Sequence, residues 1–377
     1  MIYDTIIVGA GSMGMPAGYF LAKQGKNVLL LDSFDPPHTQ GTHHGETRII
    51  RHAYGEGEGY VPLALRAQEL WTELEEESGK QLFYQTGVIN VGKASSPFIQ
   101  EVIKSANTYS LPLEILEKPE IEAKWPGIAA KDDEIACLEP NSGVLRVEDC
   151  ITAYRELAVK YGATILPNTK VTNVSILKDE VIVSANDKEY KGKSVIVTAG
   201  AWASQLLQQA GIDLPLTVLR KTFSWFNCPE ELYGMEQFPA FAFETADGTY
   251  YGFPSIEGAG LKVGRHDGGR EMDPDAPREE FGVFPEEAGD VTSFVQAYMP
   301  QVNEMKMGKT CMYTMTPDEH FIIDTHPEHS NVVFACGFSG HGFKFSSVVG
   351  EQLAELVQEG KSTYDLSLFS ASRFTKA

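Results

Sequence analysis

Basic residues are scarce in this 377-residue chain: 31 Lys and Arg stand against 52 Asp and Glu, a formal net charge of −21. A surface of that sign repels nucleic acid and anionic lipid headgroups, so neither is an expected partner. Cysteine is scarce as well. Cys137, Cys150, Cys228, Cys311 and Cys336 are odd in number and widely spaced, with no CxxC pair. That argues against a disulfide framework or a thiolate zinc site, points to the reducing cytoplasm, and leaves a thiol for some task of its own. Long apolar runs are missing, since no stretch approaches the about 20 residues that cross a bilayer. The chain enters its first strand pattern without a basic leader, so no signal peptide is expected. What remains is a globular composition and a length beyond one usual core, which predicts two interlocked domains.

Tyr3 to Asp32 reads YDTIIVGAGSMGMPAGYFLAKQGKNVLLLD. This is a strand, a glycine turn, a helix to Gly25, and a parallel strand from Asn27 to Leu31 that ends on an acid. In such a unit Gly9 permits the tight turn, Gly11 lets backbone N–H groups approach a pyrophosphate, and Gly14 lets the helix close onto the strand. The phosphates sit at the positive end of the helix, and Asp32 stands where a carboxylate accepts hydrogen bonds from an adenosine ribose. The unit predicts a dinucleotide site. Alone it serves a nicotinamide dehydrogenase as well as a flavoprotein.

The following loop holds His38, His43, His44, Arg48, Arg51 and His52. A metal site would need a defined ligand spacing, usually with carboxylates or thiolates beside the imidazoles, so no metal is expected. Two arginines three residues apart suit anionic groups, with structural salt bridging as the alternative. Val61 to Glu77 predicts an amphipathic helix with Pro62 in its first turn, Gly79 as its stop, and Leu63, Leu70, Trp71 and Leu74 on the core face. From Gln81 the pattern turns to short strands such as Gly87 to Val91. A helix from about Asp149 to Tyr161, stopped by Gly162, is followed by strands at Lys170–Ile176, Val181–Ser184 and Ser194–Ala199, the last leading through Gly200 to a helix from Trp202. Strands at Arg220–Asn227, Ala240–Glu244, Thr249–Phe253 and Leu261–Gly264 and a helix near Thr292–Tyr298 form the next section. Val332–Ala335, a glycine turn and a helix over Ser346–Gln358 close the chain. The predicted class is α/β (α+β, two-domain), a Rossmann-like domain over 1–80, 150–215 and 320–377. A mainly antiparallel sheet domain over 81–149 and 216–319 would roof the site and form a substrate pocket.

The motifs IIVGAGSMGMPAGYFLAKQG, HHGETRIIRHAYGEGEGYVPLALRAQELW, TYYGFPS, LKVGRH, CMYTMTPDEHFIID and GFSGHGFKFSSVVGE span nearly the whole chain. In them the chain resembles the monomeric sarcosine oxidase family of flavin amine oxidases, whose members include N-methyltryptophan oxidase. The resemblance implies FAD held by a thioether from Cys311, in KTCMY, to the flavin 8α methyl. It further implies a cofactor lining of Gly9, Gly11, Ser12, Met13, Gly14, Asp32, His43, His44, Thr47, Arg48, Gly200, Gly340, Gly342, Phe343 and Lys344. Arg48 and His44 match residues beside the ring and are expected as cations that favour its reduction. Lys262 matches the lysine that sits, through water, near flavin N5 and stabilises superoxide.

The substrate the resemblance implies is an N-methyl amino acid, with dioxygen as acceptor. Arg51 and Lys344 match the pair that binds its carboxylate, a donor fork and a point charge. Tyr251 and His266 match pocket residues around the methylamine, in a hydrogen-bonding and electrostatic role rather than as a general base, and Tyr313, Ala242 and Gly340 complete the pocket. The implied products are the demethylated amino acid, formaldehyde and hydrogen peroxide, from an enzyme expected to be a monomer. One departure concerns specificity: sarcosine oxidases usually carry a bulky Met where Ala242 stands. HDGG and RKTFSWF look closer to the N-methyltryptophan branch, whereas CMYTMTPDEHFIIDTHPEHSN looks closer to the sarcosine branch. The expectation is sarcosine turnover with tolerance for bulkier N-methyl amino acids. The competing readings are N-methyltryptophan as main substrate, a nicotinamide dehydrogenase, and a catalytically silent FAD-binding protein.

Overall fold

In the computed structural model, which describes residues 2–178 and 180–374, the first strand, Ile2–Val8, lies inside an eight-stranded sheet. It pairs in parallel with Val28–Leu31 on one side and Lys188–Val197 on the other. Thr164–Leu166 and Val332–Cys336 extend the parallel run, while Ile322–Thr325 and the hairpin Val171–Ile176/Val181–Ala185 add antiparallel strands. Strands apolar on both faces belong in such a sheet. Ile7 and Leu30 join one core, whereas Ile6, Val8, Leu29 and Leu31 join the other. Helices Gly14–Lys23, Val147–Lys160 and Ser346–Glu359 cover the first face.

The turn between strand and helix is as tight as its glycines demand. Gly9 has φ +94°, and a Cβ on Gly14 would come within 1.9 Å of the Gly9 carbonyl oxygen. Helix and strand could not approach this closely with any larger residue there.

The second sheet has nine strands. Its pairings are antiparallel except between Ala240–Glu244 and Val88–Lys93. Strand Thr217–Phe226 runs along Met305–Met315 and sets Lys221 opposite Cys311. A small sheet of Thr47–Ile50, Phe83–Tyr84 and Gly143–Arg146 carries Arg48 and ends just before Arg51. This is the expected α/β architecture with its mainly antiparallel second sheet. Helix Val61–Ser78, ended by a left-handed Gly79, also matches, with Leu63, Leu70, Trp71 and Leu74 buried.

Other elements differ from the sequence reading. Helices Pro97–Tyr109 and Lys118–Lys124 interrupt a stretch read as short strands. The helix expected near Thr292 begins at Glu286, and its first turn is acidic. No helix among the described residues is long and apolar enough to cross a membrane.

Candidate functional site

The glycine turn, the loop after Asp32 and the segment 337–343 enclose a cavity of about 370 Å³. Beside it, below the second sheet, lies a smaller cavity of about 90 Å³. Arg48, Tyr313, Gly340 and Phe343 line both. A ligand filling the larger cavity therefore ends against the same wall that a ligand in the smaller one would face.

The larger cavity is lined by Gly9, Gly11, Ser12, Met13, Asp32, His43, Arg48, Gly200, Gly340, Gly342 and Phe343 of the expected set. Asp32 is held rigidly there. Its Oδ2 accepts from Ala10 N at 2.8 Å and its Oδ1 from Phe34 N at 2.9 Å, and the remaining lone pairs can take ribose hydroxyls. His43 Nε2 is buried with no hydrogen-bond partner, and burial pushes this ring down to about 3, so it is neutral at neutral pH. An orphaned polar atom beside a free helix N-terminus fits a phosphate-bearing dinucleotide. These residues fit FAD.

The smaller cavity brings together Arg48, Arg51, Ala242, Tyr251, His266, Tyr313, Gly340 and Lys344, all expected site residues. Arg51 and Lys344, remote in sequence, converge here. Arg51 Nη2 donates to both oxygens of Glu56, at 2.6 and 2.5 Å, while its Nη1 is buried without a partner. Lys344 Nζ donates to His341 O at 2.8 Å and to Tyr54 Oη at 3.1 Å. An ammonium has three donors, so one remains. Burial pushes Lys344 down to about 7, with Arg51 adding to the shift and Glu56 opposing it. Burial likewise lowers His266 to about 4, leaving it neutral at neutral pH. Glu56 goes the other way: burial raises it, but Arg51, His341 and Lys344 outweigh that and hold it at about 2.

Several expected residues lie behind these walls rather than in them. Gly14, Thr47, His44, Cys311 and Lys262 line neither cavity. Cys311 is buried between Thr310 and the lining residues Met312 and Tyr313. Burial raises its thiol, while Arg48, Lys221, Lys262 and Arg278 favour the thiolate. His44 departs from the cation expected of it. Burial pushes the ring down to about 4, and its Nε2 is hydrogen-bonded to Thr310 O at 2.8 Å, so it is a neutral partner of the Cys311 strand. Arg48 donates from Nη1 to Thr47 O and from Nη2 to His44 O, both at 2.8 Å. Lys262 donates to Gly45 O and, at 3.1 Å, to Thr47 Oγ1. The rings of Phe253, Phe223 and Trp225 surround its ammonium at 4.7, 4.8 and 5.4 Å.

The sequence reading missed Glu56, Tyr54 and His341. Glu56 sits in the run GEGEG, where an acid looks like ordinary surface. No group of three His, Cys, Asp or Glu side chains among the described residues is arranged to hold a metal ion.

With this geometry in hand, comparison with known proteins is specific. Residues 4–356 match the FAD dependent oxidoreductase family. The chain is 53% identical over 374 residues to a monomeric sarcosine oxidase of Bacillus sp. (strain B-0618), covering 98% of this chain and 96% of that one. It is 45% identical over 375 residues to N-methyl-L-tryptophan oxidase of Yersinia pestis (strain Pestoides F), covering 99% and 100%. Among solved structures it is similar to NikD, an unusual amino acid oxidase essential for nikkomycin biosynthesis. That likeness has a TM-score of 0.86 at 22% identity and covers 98% and 97% of the two chains; it bears on the fold.

Proposed function

The chain belongs to the FAD dependent oxidoreductase family, and on that premise we propose a flavin-dependent oxidase that demethylates sarcosine and related N-methyl amino acids. The products are the demethylated amino acid, formaldehyde and hydrogen peroxide. The observation that carries this reading is the pair of unspent donors, Arg51 Nη1 and the third N–H of Lys344, in a cavity sharing a wall with the dinucleotide site. Such a pair is an anion receptor waiting for a carboxylate.

FAD held in the larger cavity would supply the two-electron oxidation of the substrate's N-methyl group and the reactivity toward dioxygen. The chain's own residues do the rest. Arg51 and Lys344 grip the carboxylate, so that the amine is presented to the wall of Arg48, Tyr313, Gly340 and Phe343, which is catalysis by positioning. Tyr251 and neutral His266 surround the methylamine as hydrogen-bonding groups. Arg48 supplies a fixed positive charge where the two cavities meet. Lys262 stabilises the negative charge that dioxygen takes on with its first electron. Water then adds to the substrate imine, which releases formaldehyde. Five free cysteines and the word monomeric in the names of the sarcosine oxidases support a monomer in the reducing cytoplasm.

Ala242 lines the pocket, and its small side chain leaves room for a larger amine than sarcosine. Peroxide formation measured with both substrates is expected to give the higher kcat/KM for sarcosine and measurable turnover of N-methyl-L-tryptophan. A strong preference for the indole substrate would reverse the order, and no peroxide with either would remove the activity.

Cys311 holds the flavin through a thioether. The support is its burial on the strand that carries the cavity-lining residues Met312 and Tyr313. Acid precipitation of the wild type is expected to give a yellow pellet, and Cys311→Ala to leave the colour in the supernatant. A yellow pellet from the variant would assign the attachment elsewhere.

A further inference from the structure

Two cations lining one small cavity repel each other, and Lys344 must also be kept from turning its last donor inward. The residue between them is Tyr54, which is fully buried. Its ring lies 4.4 Å from the Arg51 guanidinium carbon and 5.1 Å from Lys344 Nζ, so one aromatic ring contacts both charges. Its hydroxyl accepts from Lys344 at 3.1 Å and is 2.7 Å from His341 Nδ1.

The direction of these bonds follows from the far end. His341 Nε2 is 3.1 Å from the carbonyl oxygen of Glu319. A carbonyl can only accept, so Nε2 carries a proton, and because burial pushes the ring down to about 3 it is neutral at neutral pH and Nδ1 is bare. Tyr54 must then donate to Nδ1, and its lone pair is left to receive Lys344. The chain Lys344 to Tyr54 to His341 to the Glu319 carbonyl runs one way. The His341 carbonyl takes a second Lys344 proton at 2.8 Å, and only the third is left for a ligand.

We propose that Tyr54, oriented by His341, is the positioning residue of the carboxylate anchor, holding Lys344 and Arg51 so that their unspent N–H groups meet the two oxygens of one carboxylate. This deepens the proposed function and rests on it. Tyr54 does not touch the reacting atoms, so its loss falls on binding.

The test uses the flavin-loaded enzyme. Tyr54→Phe keeps the ring under Arg51 and removes only the hydroxyl. It is expected to raise KM for sarcosine roughly tenfold to a hundredfold, the range for losing one hydrogen bond to a charged group, with kcat within about threefold. The dissociation constant of methoxyacetate, a carboxylate without an amine, read from the flavin absorbance, rises by the same factor, whereas that of dimethylamine, which has no carboxylate, does not move. His341→Leu reproduces the effect, and His341→Asn, whose amide oxygen can take the place of Nδ1, restores much of the affinity. Because both residues serve one chain of bonds, Tyr54→Phe with His341→Leu is no worse than the stronger single change. Equal loss for methoxyacetate and dimethylamine, or additive losses, would reduce Tyr54 to packing and overturn the proposal. If the wild type binds methoxyacetate and Tyr54→Phe binds it equally well, the positioning role alone fails. If the wild type neither binds methoxyacetate nor oxidises sarcosine, the reading of the pocket fails with it.

Discussion

Lys262→Met is expected to slow reoxidation of the reduced enzyme by dioxygen about 10²- to 10³-fold, the scale of losing one preorganised charge-stabilising donor. Anaerobic reduction by sarcosine is expected to change far less. Methionine is close to lysine in length and sits comfortably among aromatic rings, so the cage of Phe223, Trp225 and Phe253 can close around it. What disappears is the charge. In the role proposed for Lys262, only the half-reaction in which dioxygen becomes an anion depends on that charge. The lysine is 2% exposed, and burial, aided by Arg48, holds its pKa well below the ordinary lysine value. The wild-type rate with dioxygen should therefore fall as pH rises through that lowered pKa, since the ammonium is the active form, and the methionine variant should lose this dependence. Stopped-flow mixing of reduced enzyme with dioxygen measures both. Unchanged oxygen reactivity in the variant would take Lys262 out of the mechanism.

The location of Lys262 shows what the sequence can convey and where it stops. Its strand, Leu261–Arg265, is expected from the sequence over Leu261–Gly264, and the role expected of it comes from a resemblance spanning nearly the whole chain. That its ammonium would be turned onto the loop at Gly45 and Thr47 depends on the packing of two sheets, which no local pattern encodes. The same holds across the fold. Gly9, Gly14 and Asp32 announced the nucleotide unit because each does a local job at fixed spacing. Helix Pro97–Tyr109 went unread although Ser96 caps it by accepting from Ile99 N, with Pro97 in the first turn. The signal was present, since Phe98, Ile99, Val102, Ile103 and Ala106 stand at helical spacing and pack into one cluster. Gly289, a poor helix former, hid the first turns of Glu286–Tyr298. In the site, Arg51 and Lys344 could be named in advance, but Tyr54, Glu56 and His341 could not, because their meaning lies in which distant group each one faces.

Arg51→Met is expected to lower kcat/KM for sarcosine about 10²- to 10³-fold, nearly all through KM, equivalent to the roughly 3–4 kcal/mol of removing one partner of a buried charge pair. The same change harms the fold, and the two effects have separate causes. Arg51 is the ion-pair partner of Glu56 at 2.5 Å, and without it a partly buried carboxylate faces a cavity with its main counter-charge gone. The Glu56 side chain retains 29% exposure, so water tempers the loss to about 1–3 kcal/mol. The sign with pH follows from the Glu56 carboxyl, which is held at about 2 in the folded protein. Its stabilising contribution is complete above the ordinary carboxylate range and is lost as pH falls toward 2, so the Tm gap between wild type and Arg51→Met should close on acidification. Adding Glu56→Gln to Arg51→Met removes the stranded charge and should recover most of the Tm at neutral pH while KM stays high. Recovery of both would mean that Arg51 serves only to neutralise Glu56, and the carboxylate anchor would then have to be built on Lys344 alone.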